Sequence, residues 1–466
     1  MKNPTRAPGL RILMLALFTH TFLVVSAQDV RILPAVSRSY AITQVTVIQG
    51  PGRKVEGATV VIKDGLITAV GKGVAIPSDA IQVKGDSLYV YPGFIDGLSR
   101  TGVNKPREDV PKEKPKDPGN PLPESAGITP YQDVRSFLNP LDKSIEEWRA
   151  LGFTVIQVVP YGGMLPGSAA VISLTGTADK MVMVPGAALY AELTTAERVY
   201  PNTILGLLAK WKELYRQAQQ AKSYATLYAS NHTGVESPGT DRVLEAFYPV
   251  IDKKAPVLFK AEKNLDVQRI LSLKNQLGFN VLLAEVKEGW DLIPSIKASG
   301  ASVFLSLELP EEKKEKEKID KEKLKDDQAI VPDSLERKAL EKRKADFTAL
   351  YVAQALAFQN AGVPFGFSSL SVKIKDVQPN LRRIIKAGLK EDDVLAALTT
   401  NPAKALGISD RVGSIDPGKI ANLVISRKPY FDEKAKVKYV FVEGKLYKVE
   451  PAVVEKTDAE KKSEKP

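Results

Sequence analysis

Residues 256–284 read PVLFKAEKNLDVQRILSLKNQLGFNVLLA, and the order of properties along them sets the fold class. A short apolar run, Pro256-Val257-Leu258-Phe259, opens the stretch. Residues 266–277 follow with apolar side chains every three or four positions, the spacing of a helix that buries one face. Gly278 ends that helix, because glycine enters the left-handed conformation of a helix stop without steric cost. A second apolar run begins at Asn280. Two strands joined through a helix run parallel.

The same unit repeats outward. Strand candidates lie at 153–159, 169–174, 256–259, 280–284, 302–307 and 364–368, with helical stretches at 143–151, 205–220, 266–277 and 345–360. Gly152, Gly278, Gly300 and Gly362 each fall shortly before a strand, where helix stops belong. This alternation predicts a parallel α/β sheet, open or closed as a barrel. Both chain ends differ from this middle. Near the start, 41–48, 58–63 and 66–70 read as strands around an Asp64-Gly65 turn. Near the end, 421–426, 437–442 and 445–449 do the same around Glu443-Gly444. Two regions interrupt the alternation: a proline-rich, charged loop at 105–130 and a charged insertion at 311–345. Within 311–328 eight acidic and seven basic side chains nearly cancel. Residues 450–466 read as a disordered tail.

Composition narrows the function classes. The chain has 466 residues, 44% hydrophobic and 26% charged, enough for a large core and more than one ordinary domain. It contains no cysteine, which excludes disulfides, thiolate metal sites and a cysteine nucleophile. No basic stripe interleaved with aromatics exists, so nucleic acid is excluded as a partner. Residues 1–27 read as a signal peptide: Lys2, Arg6 and Arg11, an apolar stretch from Ile12 to Val25, then small residues ending at Ala27. The expectation is an exported protein, periplasmic or extracellular, without a transmembrane span once the signal is removed. Its removal lowers the net charge from +11 to +8 and leaves His232 as the sole histidine.

Three motifs then carry a resemblance. Tyr91-Pro92-Gly93-Phe94-Ile95-Asp96 resembles the entry to the first barrel strand of the amidohydrolase superfamily. Residues 394–407 (VLAALTTNPAKALG) resemble its last helix, and 413–424 (GSIDPGKIANLV) its return into a small β domain, with Asn422 where an aspartate is usual. The nearest branch is imidazolonepropionase-like. The resemblance implies an α/β fold: a (β/α)8 TIM-like barrel plus a composite β-sandwich domain formed by both chain ends. The implied division is a signal peptide at 1–27, sandwich strands at 28–91, a barrel at 92–408, the sandwich's return at 409–449 and the tail at 450–466.

The family hydrolyses non-peptide carbon–nitrogen bonds with divalent metal, which polarises a carbonyl and lowers the pKa of bound water. Position by position, the implied ligands are missing. The first-strand histidine pair falls on Leu98 and Arg100. The fifth- and sixth-strand positions fall near Lys260, Glu262 and Glu285, and the eighth-strand aspartate falls at Leu370. His232 stands in a loop-like Asn231-His232-Thr233-Gly234 without partners and reads as a surface histidine. No catalytic residue and no metal or other cofactor is therefore assigned.

The expected function is a degenerate binding or scaffolding subunit. Its expected partners are an active homologue of the family or a second copy of itself, with an unidentified small ligand. The alternative is a hydrolase using an altered carboxylate or lysine site centred on Lys260. In place of a metal, Arg100 and Lys260 are expected to neutralise Glu262, Glu285 or Asp96, while Leu98 and Leu370 fill the vacated volume.

Overall fold

The computed structural model describes residues 38–85, 87–106, 117–177, 181–311 and 334–449, all within one compact unit, Arg38–Pro466. The signal-peptide reading, the tail reading and most of the charged insertion concern residues outside these. Strands β1 (Tyr40–Gly50), β2 (Arg53–Lys63) and β3 (Leu66–Gly71) form successive hairpins, and β4 (Ile81–Lys84) and β5 (Tyr89–Pro92) lie parallel to β1. Between β2 and β3, Asp64 and Gly65 both take positive φ, 53° and 79°. Two left-handed residues in succession give the turn whose twist suits a two-residue hairpin.

The chain then enters an eight-stranded barrel: β6 (Phe94–Ser99), β7 (Phe153–Val158), β8 (Gly167–Ser173), β9 (Val182–Glu192), β10 (Val257–Lys260), β11 (Val281–Val286), β12 (Ser302–Ser306) and β13 (Phe365–Ser368). Neighbours in the sheet are neighbours in the chain. Just past β13, the Ser369 N–H donates to the Leu98 carbonyl at 3.1 Å and brings the last strand to the first. Helices cover the outside, among them Lys143–Ala150, Ile204–Ser230, Asn264–Leu277 and Ser334–Asn360. Their starts carry the expected side-chain caps: Asp142 accepts from the Ser144 N–H and Thr203 from the Gly206 N–H. Gly278 and Gly300 close two of them in the left-handed conformation.

One barrel strand departs from the parallel expectation. β8 runs antiparallel to both β7 and β9, and the other neighbours in the ring are parallel. The cause is connection length. Only 159–166 and 174–181 separate these strands, too little chain for a crossover, and a short link between adjacent strands reverses direction. β9 itself went unread in the sequence because Pro185-Gly186 breaks its apolar run. Residues 334–345, read as the end of the charged insertion, are the first turns of helix Ser334–Asn360.

After helix Thr400–Ala405 the chain returns as β14 (Leu423–Ser426), β15 (Val437–Val442) and β16 (Lys445–Lys448). β14 pairs antiparallel with β5, Leu423 opposite Pro92 and Ser426 opposite Tyr89, so both chain ends share one eight-stranded sheet. Glu443 and Gly444 repeat the left-handed pair of the first hairpin, at φ 51° and 75°. The two turns touch: a Cβ on Gly444 would lie 2.5 Å from the Gly65 Cα. A separate core of Ile42, Val47, Val60, Ile62, Val90, Ile425 and Phe441 fills this sheet's inner side.

The barrel lumen is packed in layers. Leu98, Val159, Ala169, Ala188, Tyr190, Leu258, Leu282, Ala284 and Phe304 make one, and Ile95, Val155, Val171, Ala403, Ile408 and Val412 make another. The Phe304 ring lies over its neighbour on β13 and over β6 because Gly366, its register partner, and Gly97 carry no side chain there. A Cβ on Gly97 would come within 2.1 Å of its ring, and one on Gly366 within 2.7 Å. Overpacking a tight core costs about 1–3 kcal/mol. Gly97→Ala is therefore expected to lower the unfolding free energy measured by urea denaturation by that amount, and Phe304→Leu in the same chain to restore part of it.

Candidate functional site at the barrel mouth

Strand alternation decides which side chains reach the mouth. Tyr190 is buried in the lumen, so Glu192, two residues on, rises at the rim on the same side of β9. Leu258 is likewise buried, which carries Lys260 and then Glu262 up from β10. Lys287 follows β11 and Glu308 follows β12.

These charges form a chain of alternating sign. Arg100 binds Glu192 at 2.6 Å, and Lys260 lies 3.9 Å from Glu192 and 3.7 Å from Glu262. Lys287 continues the series, 3.0 Å from Glu262 and 2.6 Å from Glu308. The Arg100 guanidinium also lies over the Tyr161 ring, 4.5 Å from its centroid. Glu192 is the most enclosed member. It accepts the Tyr190 hydroxyl at 2.8 Å and the Thr194 hydroxyl at 3.1 Å. Burial works to raise the Glu262 carboxyl, yet Lys287 and Lys260 together hold it below its ordinary value. Burial would also lower the Lys287 ammonium, but Glu308 and Glu262 lift it above the usual range.

Beneath this rim lie two carboxyls that form no ion pair among the described residues, although the Lys287 charge is near enough to favour the ionised form of Glu285. Asp96 is 1% exposed and accepts from the Leu98 N–H, the Ser369 N–H and the Ser369 hydroxyl. Burial nevertheless pushes it up to about 8. Glu285 is fully buried and accepts the Ser306 hydroxyl at 2.6 Å and the Ser368 hydroxyl at 2.8 Å; burial raises it too. Its backbone is left-handed, φ 60°, at a register break between β11 and β12.

The residues read from the sequence fall as follows. Lys260 and Glu262 meet each other. Arg100 does not reach Asp96, Glu262 or Glu285; its partner is Glu192, which the sequence reading passed over together with Lys287 and Glu308. One signal was available: Glu192 closes an apolar run just as Lys260 closes Val257-Leu258-Phe259. Asp96 and Glu285 are satisfied by hydroxyls and amides instead of cations. Leu98 is buried against Phe304, and Leu370 packs beside the same layer. His232 is exposed, stacked 4.8 Å from Tyr228, with its Nδ1 at the Tyr228 carbonyl. Among the described residues, no three histidine, cysteine, aspartate or glutamate side chains are grouped to hold a metal ion.

Comparison with known proteins follows this geometry. The family described as amidohydrolase family matches residues 351–447, from within helix Ser334–Asn360 through β13 to the returning strands. An amidohydrolase from Thermotoga maritima MSB8 shares the fold at a TM-score of 0.70 and 22% identity, covering 88% of this chain and all of that one. A prolidase crystallised with N-methylphosphonate-L-proline superposes at 0.51 with 17% identity, over 88% of this chain and 99% of its own. No curated protein matches the sequence. The barrel with its composite sheet has the fold of these amidohydrolases, and the family match takes in two of the three motifs, 394–407 and 413–424.

Two outcomes are expected here. Because Asp96 is raised, its protonated form favours the fold. The stability it contributes is full below about pH 4 and is lost as pH rises through 8. Asp96→Asn should flatten the dependence of the urea midpoint on pH between 5 and 9, an order-of-magnitude window around that titration. Glu192→Gln should leave Arg100 with a weakened partner and lower the unfolding free energy from urea denaturation by roughly 1–3 kcal/mol.

Proposed function

We propose that this chain is an exported, amidohydrolase-fold binding or scaffolding subunit whose barrel mouth no longer holds a divalent metal. The observation that carries the reading is the arc Arg100–Glu192–Lys260–Glu262–Lys287–Glu308, which supplies its carboxylates with cations of its own. A divalent ion placed about 4 Å from one of those ammonium groups would meet roughly 8 kcal/mol of repulsion, even at an effective dielectric of about 20. Export rests on the signal-like residues 1–27. An active homologue or a second copy is the partner such a subunit calls for, with a small ligand at the mouth. The lysine-based hydrolase reading has less support, because the Lys260 ammonium lies between two carboxylates as an ion-pair partner.

Elemental analysis of the protein, purified from its native compartment without added metal, tests the proposal. The expected result is zinc, manganese and iron each well below one equivalent, and no turnover of amides or cyclic imides when metal is supplied. Stoichiometric metal with metal-dependent hydrolysis would overturn it.

A further inference from the structure

Gln157 and Ser173 are fully buried, and neither side chain has a hydrogen-bond partner among the described residues: the Gln157 amide oxygen, its amide nitrogen and the Ser173 hydroxyl are all left over. Buried polar groups are almost always satisfied by protein or by ordered water. These two share a place. In the antiparallel pair of β7 and β8, Val155 faces Ser173 and Gln157 faces Val171. Val155 and Val171 belong to one lumen layer, and Val159 and Ala169 to the next. Side chains two apart on a strand share a face, so Gln157 enters the lumen between those layers and Ser173 enters beside Val155. Small side chains lie nearby among the valines: Ala169 and Ala188 pair across β8 and β9, and Ala187 packs on the lower layer.

We propose that the barrel lumen encloses a bound water shared by Gln157 and Ser173. A water needs two to four polar partners and a pocket of its own size. The Gln157 amide offers two donors and an acceptor, and the serine hydroxyl offers one of each. Diagonal neighbours on adjacent strands are within reach of a long side chain plus one bridging molecule.

The test uses the full chain, with Gln157→Met, Ser173→Ala and the double variant. Oxygen-17 relaxation dispersion counts long-lived internal waters, and thermal denaturation gives Tm. The expected result is a lower Tm for each single variant, a double variant no less stable than the weaker single one, and one fewer long-lived water. A higher Tm for Gln157→Met with an unchanged water count would show a dry lumen and overturn the proposal. Should the variants not fold, a high-resolution crystal structure of the wild type decides. Solvent density bonded to both side chains supports the site; a direct Gln157–Ser173 bond, or another protein partner for either, removes it.

Discussion

A carboxylate taken out of water must be met by cations, by hydrogen-bond donors or by a proton, because an unpaired buried charge costs several kcal/mol. The upper half of this barrel uses all three. Glu192 and Glu262 at the rim are met by Arg100, Lys260 and Lys287. Glu285 and Asp96 below are met by serine hydroxyls and backbone amides, and burial draws Asp96 toward its protonated form. The donors come from strands that must sit side by side for this to work. Ser306 and Ser368 come from β12 and β13 to serve a side chain on β11, and Ser369 follows β13 to serve one on β6. Barrel closure and charge compensation are thus one arrangement seen twice.

How much of this was legible depended on whether a feature is local. The Asp64-Gly65 and Glu443-Gly444 turns are dictated by two residues each, and both formed where they were read. Helix stops at Gly278 and Gly300 were equally local. The direction of β8 was not: it follows from the length of its flanking loops, which periodicity does not weigh. β9 hid behind Pro185-Gly186, and with it went Glu192. Lys260 was found because the resemblance places a fifth-strand ligand position just after Val257-Leu258-Phe259. Its pairing with Glu192 across two strands was not, since it requires the register of β9 on β10. For the same reason Arg100 was assigned to the wrong carboxylates.

The two halves of the lumen show different solutions to one packing problem. Around Phe304, space is made by deleting side chains at Gly97 and Gly366. Leu98 stands in that layer and adds apolar contact to it. Filling with hydrocarbon leaves a mouth held by charge at its rim and by dispersion beneath it.

The pairing of β5 with β14 carries a consequence for the order in which the molecule can be made. β5 ends at Pro92, and its partner Leu423 emerges from the ribosome only after the whole barrel has been translated. At about 5–20 residues per second, that interval is on the order of tens of seconds. Throughout it the nascent sheet shows the unpaired flank of β5, Tyr89-Val90-Tyr91, to any strand that approaches, the circumstance in which edge-to-edge association begins. The β7–β8–β9 meander has no such wait, because its strands follow one another closely. The least protected moment of this protein during synthesis therefore falls on its small sheet, and covering residues 89–91 until β14 arrives would guard that edge.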